Sequence, residues 1–579
     1  MVSIPLLNLL AKLNIWLIRV GFVFALVFLA RLFYKLKNKK KLAFLVVIAV
    51  AFFSLFAIPK FNILYNDEFY YNSMAFSIKD YGINYLYHES AEVFGPYPKC
   101  AVFPYLINIS YYFTKGNPYS SIYVNMILYS LSAGVLLLIF FEVAKGKIKR
   151  KHELFYGALF VLIFLTVYYL KNLSRNGETH PTSIFFVLLF ILVVINFLNK
   201  GAFKEFIFLV PIGFIAGVSR PENLFIPISL LLFGIIFPKN KSSNGVDEVD
   251  ITKKRGILGN IIENKKLILI ISAILIGILC IPNFLVIYGE YFNKSWQDSN
   301  SNFSILYFYD NVVHLLKYFF ITLDFWFLGL IALGIIASLS LVLIEILATF
   351  FNRGRIVKER KWLKCFDEDK HMLYISCLFL CSLCIIFISA VNQNRAPRVY
   401  SIIITLAVVW LIMLFVNAFK IKEYRKVFTL LLVLFVGLNF ANDIRLSYGP
   451  IRHYFDYSRS KQLEFIEDIF QYTKNIDGEF YVMTQYPEAL AFLKDNVIDT
   501  ADFMLHKEFY KDKRIFLFFK NLYFAEQKKT RSTIDIEVKR IYKILTETEK
   551  YEIEAVFDKD VYVPAVGYFN LSFEQVLKE

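Results

Sequence analysis

Two adjacent carboxylates, Asp67 and Glu68, follow closely on an apolar stretch that covers residues 42–58. An ionised carboxylate can take a proton from an attacking hydroxyl, so this acid pair is a candidate for general base catalysis. A structural interpretation also exists, because Asn66 is a favourable helix N-cap and acids in a first helical turn suit the helix dipole. The pair alone does not separate the two interpretations.

Arginines occur in three short polar segments between other apolar stretches: Arg175 with Glu178 and His180, Arg220 with Glu222, and Arg395 with Arg398. An arginine binds phosphate through its forked donors. Any single arginine at a membrane edge also has a structural explanation, because its side chain can reach lipid headgroups. Taken together with Asp67 and Glu68, the arginines suit a reaction in which an anionic lipid phosphate is bound or leaves.

The composition defines the class of protein that must position these residues. Hydrophobic residues make up 57% of the 579, and the mean hydropathy is +0.52. Apolar runs of about 17 to 25 residues, long enough to cross about 30 Å of hydrocarbon, recur along the chain. The sequence therefore predicts a polytopic α-helical membrane protein with about 11–13 transmembrane helices. The six cysteines form no recognisable framework, and we expect no structural disulfide.

The basic residues predict the topology. We expect spans near residues 13–34, 42–58, 119–141, 154–170, 181–197, 206–218, 224–237, 267–287, 322–347, 372–390, 399–417 and 427–441. If 35–41 is an inner loop, the inner loops are 35–41, 142–153, 198–205, 238–266, 348–371 and 418–426, and all of them except 198–205 are rich in Lys and Arg. The positive-inside rule assigns them to the cytoplasm, so the net charge of +16 is a topology signal and requires no nucleic-acid partner.

The segments left outside include one long loop, residues 59–118, which is predicted to contain two interfacial helices. The periodicity predicts one apolar face on each helix. The face of the first helix contains Tyr71, Met74 and Ile78, and that of the second contains Val102, Leu106, Ile109 and Phe113.

We divide the chain into an additional N-terminal helix with its basic loop (1–41), a transmembrane catalytic domain (42–441) and an outer domain (442–579). The outer domain is predicted to be a small α/β unit, with helices at 458–474 and 532–547 and strands at 480–484, 514–519 and, last, 551–557.

The segment Asn66-Asp67-Glu68-Phe69-Tyr70 resembles the acidic motif in the first outer loop of GT-C glycosyltransferases. That superfamily includes the protein O-mannosyltransferases and the aminoarabinose lipid A transferases. Residues 97–106 resemble the Pro-rich entry to the family's second interfacial helix. Residues 174–178, with Pro181, and residues 217–222 are similar to its later outer segments. The resemblance covers roughly residues 42–240 by motif and the later spans by topology alone.

This resemblance implies transfer of a sugar, a hexose such as mannose, from a polyprenyl- or dolichyl-phosphate carrier. The acceptor would be a hydroxyl on a protein, glycan or lipid at the outer face of the plasma membrane. Asp67, beside Glu68, would be the catalytic base of a single, inverting displacement. The lipid phosphate would be held by basic residues from several segments: Arg175, Arg220, Arg395, Arg398 and Lys99.

The chain departs from the family where an acid is often found about five residues after the arginine. This chain has His180 there, with Glu178 two residues earlier. A divalent metal ion is therefore left open, and the candidates for binding it, the sugar or the acceptor are Glu178, His180, Glu222, Glu89, Glu92 and His88. No nucleotide cofactor is expected, because no Gly-rich phosphate loop follows a strand.

Two other classes of function are alternatives. One is a transporter or flippase of lipid-linked saccharides, although such proteins usually carry internal repeats and mid-membrane polar groups. The other is a non-catalytic membrane scaffold whose outer domain binds partners. The charges gathered in the outer segments favour the glycosyltransferase.

Overall fold

A computed structural model describes most of the N-terminal two thirds of the chain and short parts of the remainder. The described residues are 3–56, 66–84, 100–117, 119–175, 177–200, 203–236, 265–293, 307–313, 335–336, 338–340, 343, 370–387, 401–419, 425–448, 473–474, 478–484, 496–499, 514–518, 552–557, 561–563 and 567–569.

The described helices form a bundle. They are α1 (Ile4–Lys35), α2 (Asn38–Phe56), α3 (Asn66–Tyr81), α4 (Val102–Thr114), α5 (Ser120–Ala144), α6 (Arg150–Thr166), α7 (Tyr168–Leu173), α8 (His180–Lys200), α9 (Phe203–Val218), α10 (Phe225–Ile236), α11 (Lys265–Asn293), α12 (Lys370–Phe387), α13 (Ser401–Ala418) and α14 (Arg425–Tyr448). A short 3₁₀-helix, Pro221–Leu224, precedes α10.

Within the described ranges, six helices are long and apolar enough to cross a membrane: α1, α5, α8, α11, α13 and α14. Helices α9, α10 and α12 are apolar but shorter. The chain is therefore an integral membrane protein of polytopic α-helical architecture, as its composition predicts. The total number of spans stays a prediction, because most of the expected span at 322–347 lies outside the described residues.

The span expected near residues 154–170 is interrupted at one residue. Helix α6 ends at Thr166, because Val167 adopts an extended conformation with φ −73° and ψ 101°. The chain then forms the six-residue helix α7. Hydropathy does not detect this interruption, because the flanking residues are apolar on both sides of it.

Helix α8 lies at the centre of the bundle. All of its residues from 180 to 198 are buried, and it packs against α5, α9 and α13. A helix that is apolar all round is expected in such a central position. Helices α1 and α14 lie at the periphery and expose apolar side chains such as Trp16 and Leu430, as lipid-facing helices do.

Basic side chains join neighbouring helices at one end of the bundle, here called the basic end. The contacts are Arg31 Nη2 to Glu205 Oε1 (2.8 Å), Lys40 Nζ to Glu153 Oε2 (2.6 Å), Lys147 Nζ to Asn417 Oδ1 (3.4 Å), Lys265 Nζ to Leu198 O (3.5 Å) and Arg425 Nε to Phe419 O (2.7 Å). Successive helices thus run up and down as the basic loops predict. Assignment of this end to the cytoplasm stays a prediction.

The long outer loop contributes α3 and α4, which pack against each other and against α5. Tyr71, Met74 and Ile78 are buried, so the predicted face of α3 is confirmed.

On the predicted face of α4, Val102 and Leu106 are buried, whereas Ile109 is only partly buried and Phe113 is 85% exposed, so only the first part of this face packs inward. Tyr111 is buried in place of Phe113. The Tyr111 ring stacks on Phe76 at 4.4 Å between centroids, and its hydroxyl donates to Asn72 Oδ1 at 3.0 Å. The position of α3 therefore decides which side of α4 faces inward.

Near the C-terminus, four parallel strands form a sheet in the order β2-β1-β3-β4. The strands are β1 (Tyr481–Thr484), β2 (Val497–Asp499), β3 (Arg514–Phe518) and β4 (Glu552–Phe557). Predicted strands are thus confirmed as β1, β3 and β4, and parallel pairing fits an α/β unit. The strand at 551–557 is not the last, because a hairpin of β5 (Val561–Val563) and β6 (Gly567–Phe569) follows. The helices expected at 458–474 and 532–547 lie outside the described residues, apart from 473–474.

Candidate active site

Buried polar side chains cluster at the end of the bundle opposite the basic end. The cluster lies where α5, α8 and α13 begin and where α9 ends. Its central members are His180, the first residue of α8, and Arg220, which follows α9 and the bend at Ser219. Residues from four separate parts of the chain therefore meet at this place.

Arg220 and His180 are in direct contact. Arg220 Nη1 lies 3.0 Å from Thr179 Oγ1 and 3.0 and 3.1 Å from the two ring nitrogens of His180. His180 Nδ1 is 3.1 Å from Ser401 Oγ, and His180 Nε2 is 3.3 Å from Glu178 Oε2. A ring that donates from Nε2 to Glu178 and accepts at Nδ1 satisfies the contact with Glu178 and lets Nδ1 accept from Ser401 or Arg220, whereas the approach of Arg220 Nη1 to Nε2 is then not a hydrogen bond. The cluster thus combines one guanidinium, one imidazole and one carboxylate.

Amide side chains fix the two chain segments that carry the cluster. Asn125 Nδ2, on α5, donates to the backbone oxygen of Glu178 at 2.7 Å. Asn223 Nδ2 donates to Ser183 Oγ at 2.6 Å and to Ser219 Oγ at 2.9 Å, which ties the start of α8 to the end of α9. Pro221 is the first residue of the 3₁₀-helix, a position that the fixed φ of proline favours. The backbone around Arg220 and His180 is therefore held from both sides.

The two arginines of the site differ in how far they are buried. Arg175 is 1% exposed, so a ligand could not reach its guanidinium without a rearrangement. Arg220 is partly exposed. Glu178 and His180, at 5% and 3% exposure, lie beneath it. Of these two arginines, Arg220 is the one that a ligand phosphate could contact in the present conformation.

The structure gives the backbone, but not the side chains, of several predicted site residues. Asp67 and Glu68 lie in the first turn of α3, which begins at Asn66, as the helix-capping interpretation also requires. Helix α3 packs against α5, the helix that supplies Asn125 to the cluster. Glu222 lies in the 3₁₀-helix.

Six further predicted site residues lie outside the described residues: Arg395, Arg398, Lys99, Glu89, Glu92 and His88. Their roles stay predictions. Among the residues that the structure describes, no group of three or more His, Cys, Asp or Glu side chains could hold a metal ion. The metal question therefore stays open for the residues beyond that part of the chain.

Sequence reasoning missed several members of the cluster. Thr179, Asn125 and Ser401 are isolated polar residues at helix starts, and nothing in the local sequence distinguishes them from ordinary helix-terminal residues. A stronger signal was available for Lys171 and Asp443, which form a buried ion pair between α7 and α14. Ionisable residues next to long apolar runs are costly to bury and usually have a named partner.

The fold and the cluster define an integral, polytopic helical membrane protein with a partly accessible arginine above a buried histidine and glutamate. No protein-family model matches the chain, and a search of curated proteins finds no match.

Among solved structures, the chain is similar to ArnT from Cupriavidus metallidurans bound to undecaprenyl phosphate. The TM-score is 0.44 and the identity 12%, over 80% of this chain and 88% of that one. It is also similar to the Archaeoglobus fulgidus oligosaccharyltransferase in complex with zinc and sulfate. There the TM-score is 0.43 and the identity 12%, over 78% of this chain and 62% of the other. Both are members of the GT-C superfamily. At this identity and with TM-scores below 0.5, neither similarity carries information about the reaction.

Proposed function

We propose that the chain is a membrane glycosyltransferase that transfers a hexose, with mannose the first candidate, from a polyprenyl-phosphate carrier to an acceptor hydroxyl. One observation carries this proposal. Arg220 is a partly exposed cation, oriented by Thr179 and His180, at the end of the bundle opposite the basic end. A fixed guanidinium at a membrane surface suits an anionic lipid phosphate, because it can present two parallel donors to two phosphate oxygens.

The proposed reaction is a single displacement at the anomeric carbon of the sugar. Asp67 takes the proton of the acceptor hydroxyl, whose oxygen forms the new bond to carbon one. The bond from carbon one to the carrier's phosphate oxygen breaks, and the lipid phosphate leaves with the electron pair. Arg220 stabilises the negative charge on that phosphate. Attack opposite the leaving group inverts the configuration at carbon one.

Support for the role of Asp67 comes from the packing of α3 and from the resemblance of residues 66–70 to the GT-C acidic motif. Helix α3 contacts α5, and α5 holds the backbone of Glu178 through Asn125. The helix that carries the acid motif and the segment that carries Glu178 thus both contact α5. In this proposal Glu68 has a smaller role, at the helix terminus or in orienting the acceptor.

Reconstitution tests the proposal directly. The purified protein is placed in liposomes with undecaprenyl-phosphate hexoses, labelled with ¹⁴C in the sugar, and with the cell-envelope fraction as acceptor. We expect label to leave the undecaprenyl-phosphate donor and to appear on a protein, glycan or lipid of the envelope fraction, together with release of undecaprenyl phosphate. Opposite anomeric configurations in donor and product would support a single displacement, and retention would contradict it. Movement of intact labelled lipid between leaflets would identify a flippase. If neither transfer nor movement between leaflets occurs, the result favours a scaffold.

We further propose that the cluster and residues 442–579 face the outside of the plasma membrane. Cysteine substitutions at Ser90 and Ser572, labelled in intact cells with a membrane-impermeant maleimide, test this orientation. Both positions should react without permeabilisation. Reaction at only one of them would contradict the shared orientation of the outer loop and the C-terminal domain.

A further inference from the structure

Lys171 and Asp443 form a buried ion pair that the proposed reaction does not use. The Lys171 and Asp443 side chains are only 9% and 5% exposed, and 272 residues separate them in the sequence. Lys171 belongs to the six-residue helix α7, and Asp443 lies near the end of α14. The pair therefore joins a short helix next to the cluster to the last described helix before the C-terminal domain.

Most of α14 is peripheral. Its side chains at Leu430, Leu431 and Leu434 are more than half exposed, whereas Asp443 is 4% exposed. A carboxylate buried among membrane helices is unfavourable unless it is paired and hydrogen-bonded. The ion pair with Lys171 supplies that partner and fixes which side of α14 faces α7.

Helix α7 leads directly into the turn that carries Arg175 and Glu178. Ser174 Oγ donates to Leu170 O at 2.6 Å, and the Arg175 amide donates to Asn172 O at 3.1 Å, so Ser174 and Arg175 continue the geometry of α7. Further along the chain, the backbone oxygen of Glu178 accepts from Asn125. A displacement of α7 would therefore move Ser174 and Arg175 relative to the cluster that Asn125 holds.

We propose that Lys171 is a positioning residue: its ion pair with Asp443 holds α7 against α14 and thereby places Ser174 and Arg175 beside the buried cluster of Glu178, His180 and Arg220. The pair touches neither the proposed donor nor the acceptor. Its effect on turnover rests on the proposed function, whereas its effect on the turn does not.

The position of the turn can be measured without any assay of activity. Ser174 is fully buried, so a thiol introduced by Ser174→Cys should react slowly with a small maleimide. The labelling rate at position 174 is obtained by subtracting the rate of the parent protein, which carries the native cysteines only. Adding Lys171→Met leaves Asp443 buried without its cation and should raise this rate by about tenfold or more. Lys171→Arg, which keeps the charge, should leave the rate within about twofold of the Ser174→Cys protein.

The matched control is Arg31→Met at the basic end. It also removes the cation of an ion pair, in this case a part-buried one whose arginine is 25% exposed, and leaves a carboxylate, Glu205, which is 3% exposed. It should lower the melting temperature without accelerating labelling at position 174. Exchange of the two charges, Lys171→Asp with Asp443→Lys, should bring the labelling rate back towards its starting value.

Unchanged labelling in Lys171→Met would overturn the proposal, and so would equal acceleration in Arg31→Met. If Lys171→Met does not fold, Asp443→Asn also removes one charge of the pair and changes the shape of the side chain less. In the transfer assay, Lys171→Met should lower kcat and raise the KM for undecaprenyl-phosphate hexose, and Lys171→Arg should rescue both. Absence of transfer by the wild-type protein would count against the glycosyltransferase alone, because the labelling result would still decide the role of the ion pair.

Discussion

Replacement of Arg220 by lysine tests whether the geometry of the guanidinium, beyond its charge, serves the donor phosphate. Arg220 Nη1 lies within 3.1 Å of Thr179 Oγ1 and of the His180 ring, so one nitrogen orients the group. A guanidinium is planar and carries its donors side by side, which is the geometry that matches a phosphate. A lysine ammonium is a single point of charge and cannot hold both sets of contacts in a fixed geometry. The Arg220→Lys variant should therefore bind the leaving phosphate less well.

The expected loss follows from one hydrogen bond to a charged group, which is worth about 1.5–3 kcal/mol. Since about 1.4 kcal/mol corresponds to a tenfold change in rate, kcat/KM for the donor should fall by about 10- to 150-fold. The melting temperature should change little, because the positive charge near Glu178 is kept. The assay is donor-dependent transfer in proteoliposomes, with the acceptor at saturation.

Arg31 provides a matched control, because it also makes a forked contact, to Glu205, at 2.8 and 3.4 Å. Arg31→Lys at the basic end should lower the melting temperature and leave kcat/KM for the donor within about twofold of wild type. Full activity of Arg220→Lys would refute the phosphate contact. An equal loss in Arg31→Lys would show that the effect is general destabilisation.

Asp67→Asn should lower kcat by about 10²- to 10⁴-fold without changing elution on size-exclusion chromatography, because an amide cannot accept the proton; turnover near wild type would rule out this base. Gly213→Ala would add a Cβ 2.4 Å from Ile276 Cδ1 and should destabilise the bundle by about 1–3 kcal/mol in a thermal melt. Gly277→Ala, in open space on α11, is its control and should not lower the melting temperature. Burial raises the pKa of Tyr111 well above its ordinary value of 10.0, so the folded state keeps the proton after the unfolded state has lost it. Stability should therefore be complete below about pH 10 and fall above it, and Tyr111→Phe should flatten that fall in melts between roughly pH 9 and 11; an unchanged slope would contradict the assignment.

The sequence by itself determined the class of protein and the positions of most helices. Apolar runs must match the thickness of the hydrocarbon, and loops rich in Lys and Arg alternate with loops that are less basic, so both properties can be read from the chain. The buried face of α3 and the strands β1, β3 and β4 were also predictable, because local periodicity specifies them.

Only the tertiary structure decided which polar side chains meet. His180 contacts Ser401, which is 221 residues away, and Lys171 pairs with Asp443 across 272 residues. The sequence treats Arg175 and Arg220 alike, whereas packing buries the first and leaves the second partly exposed. Hydropathy and spacing describe each helix separately, but exposure and long-range partners depend on how the helices pack against one another, and no local pattern encodes that arrangement.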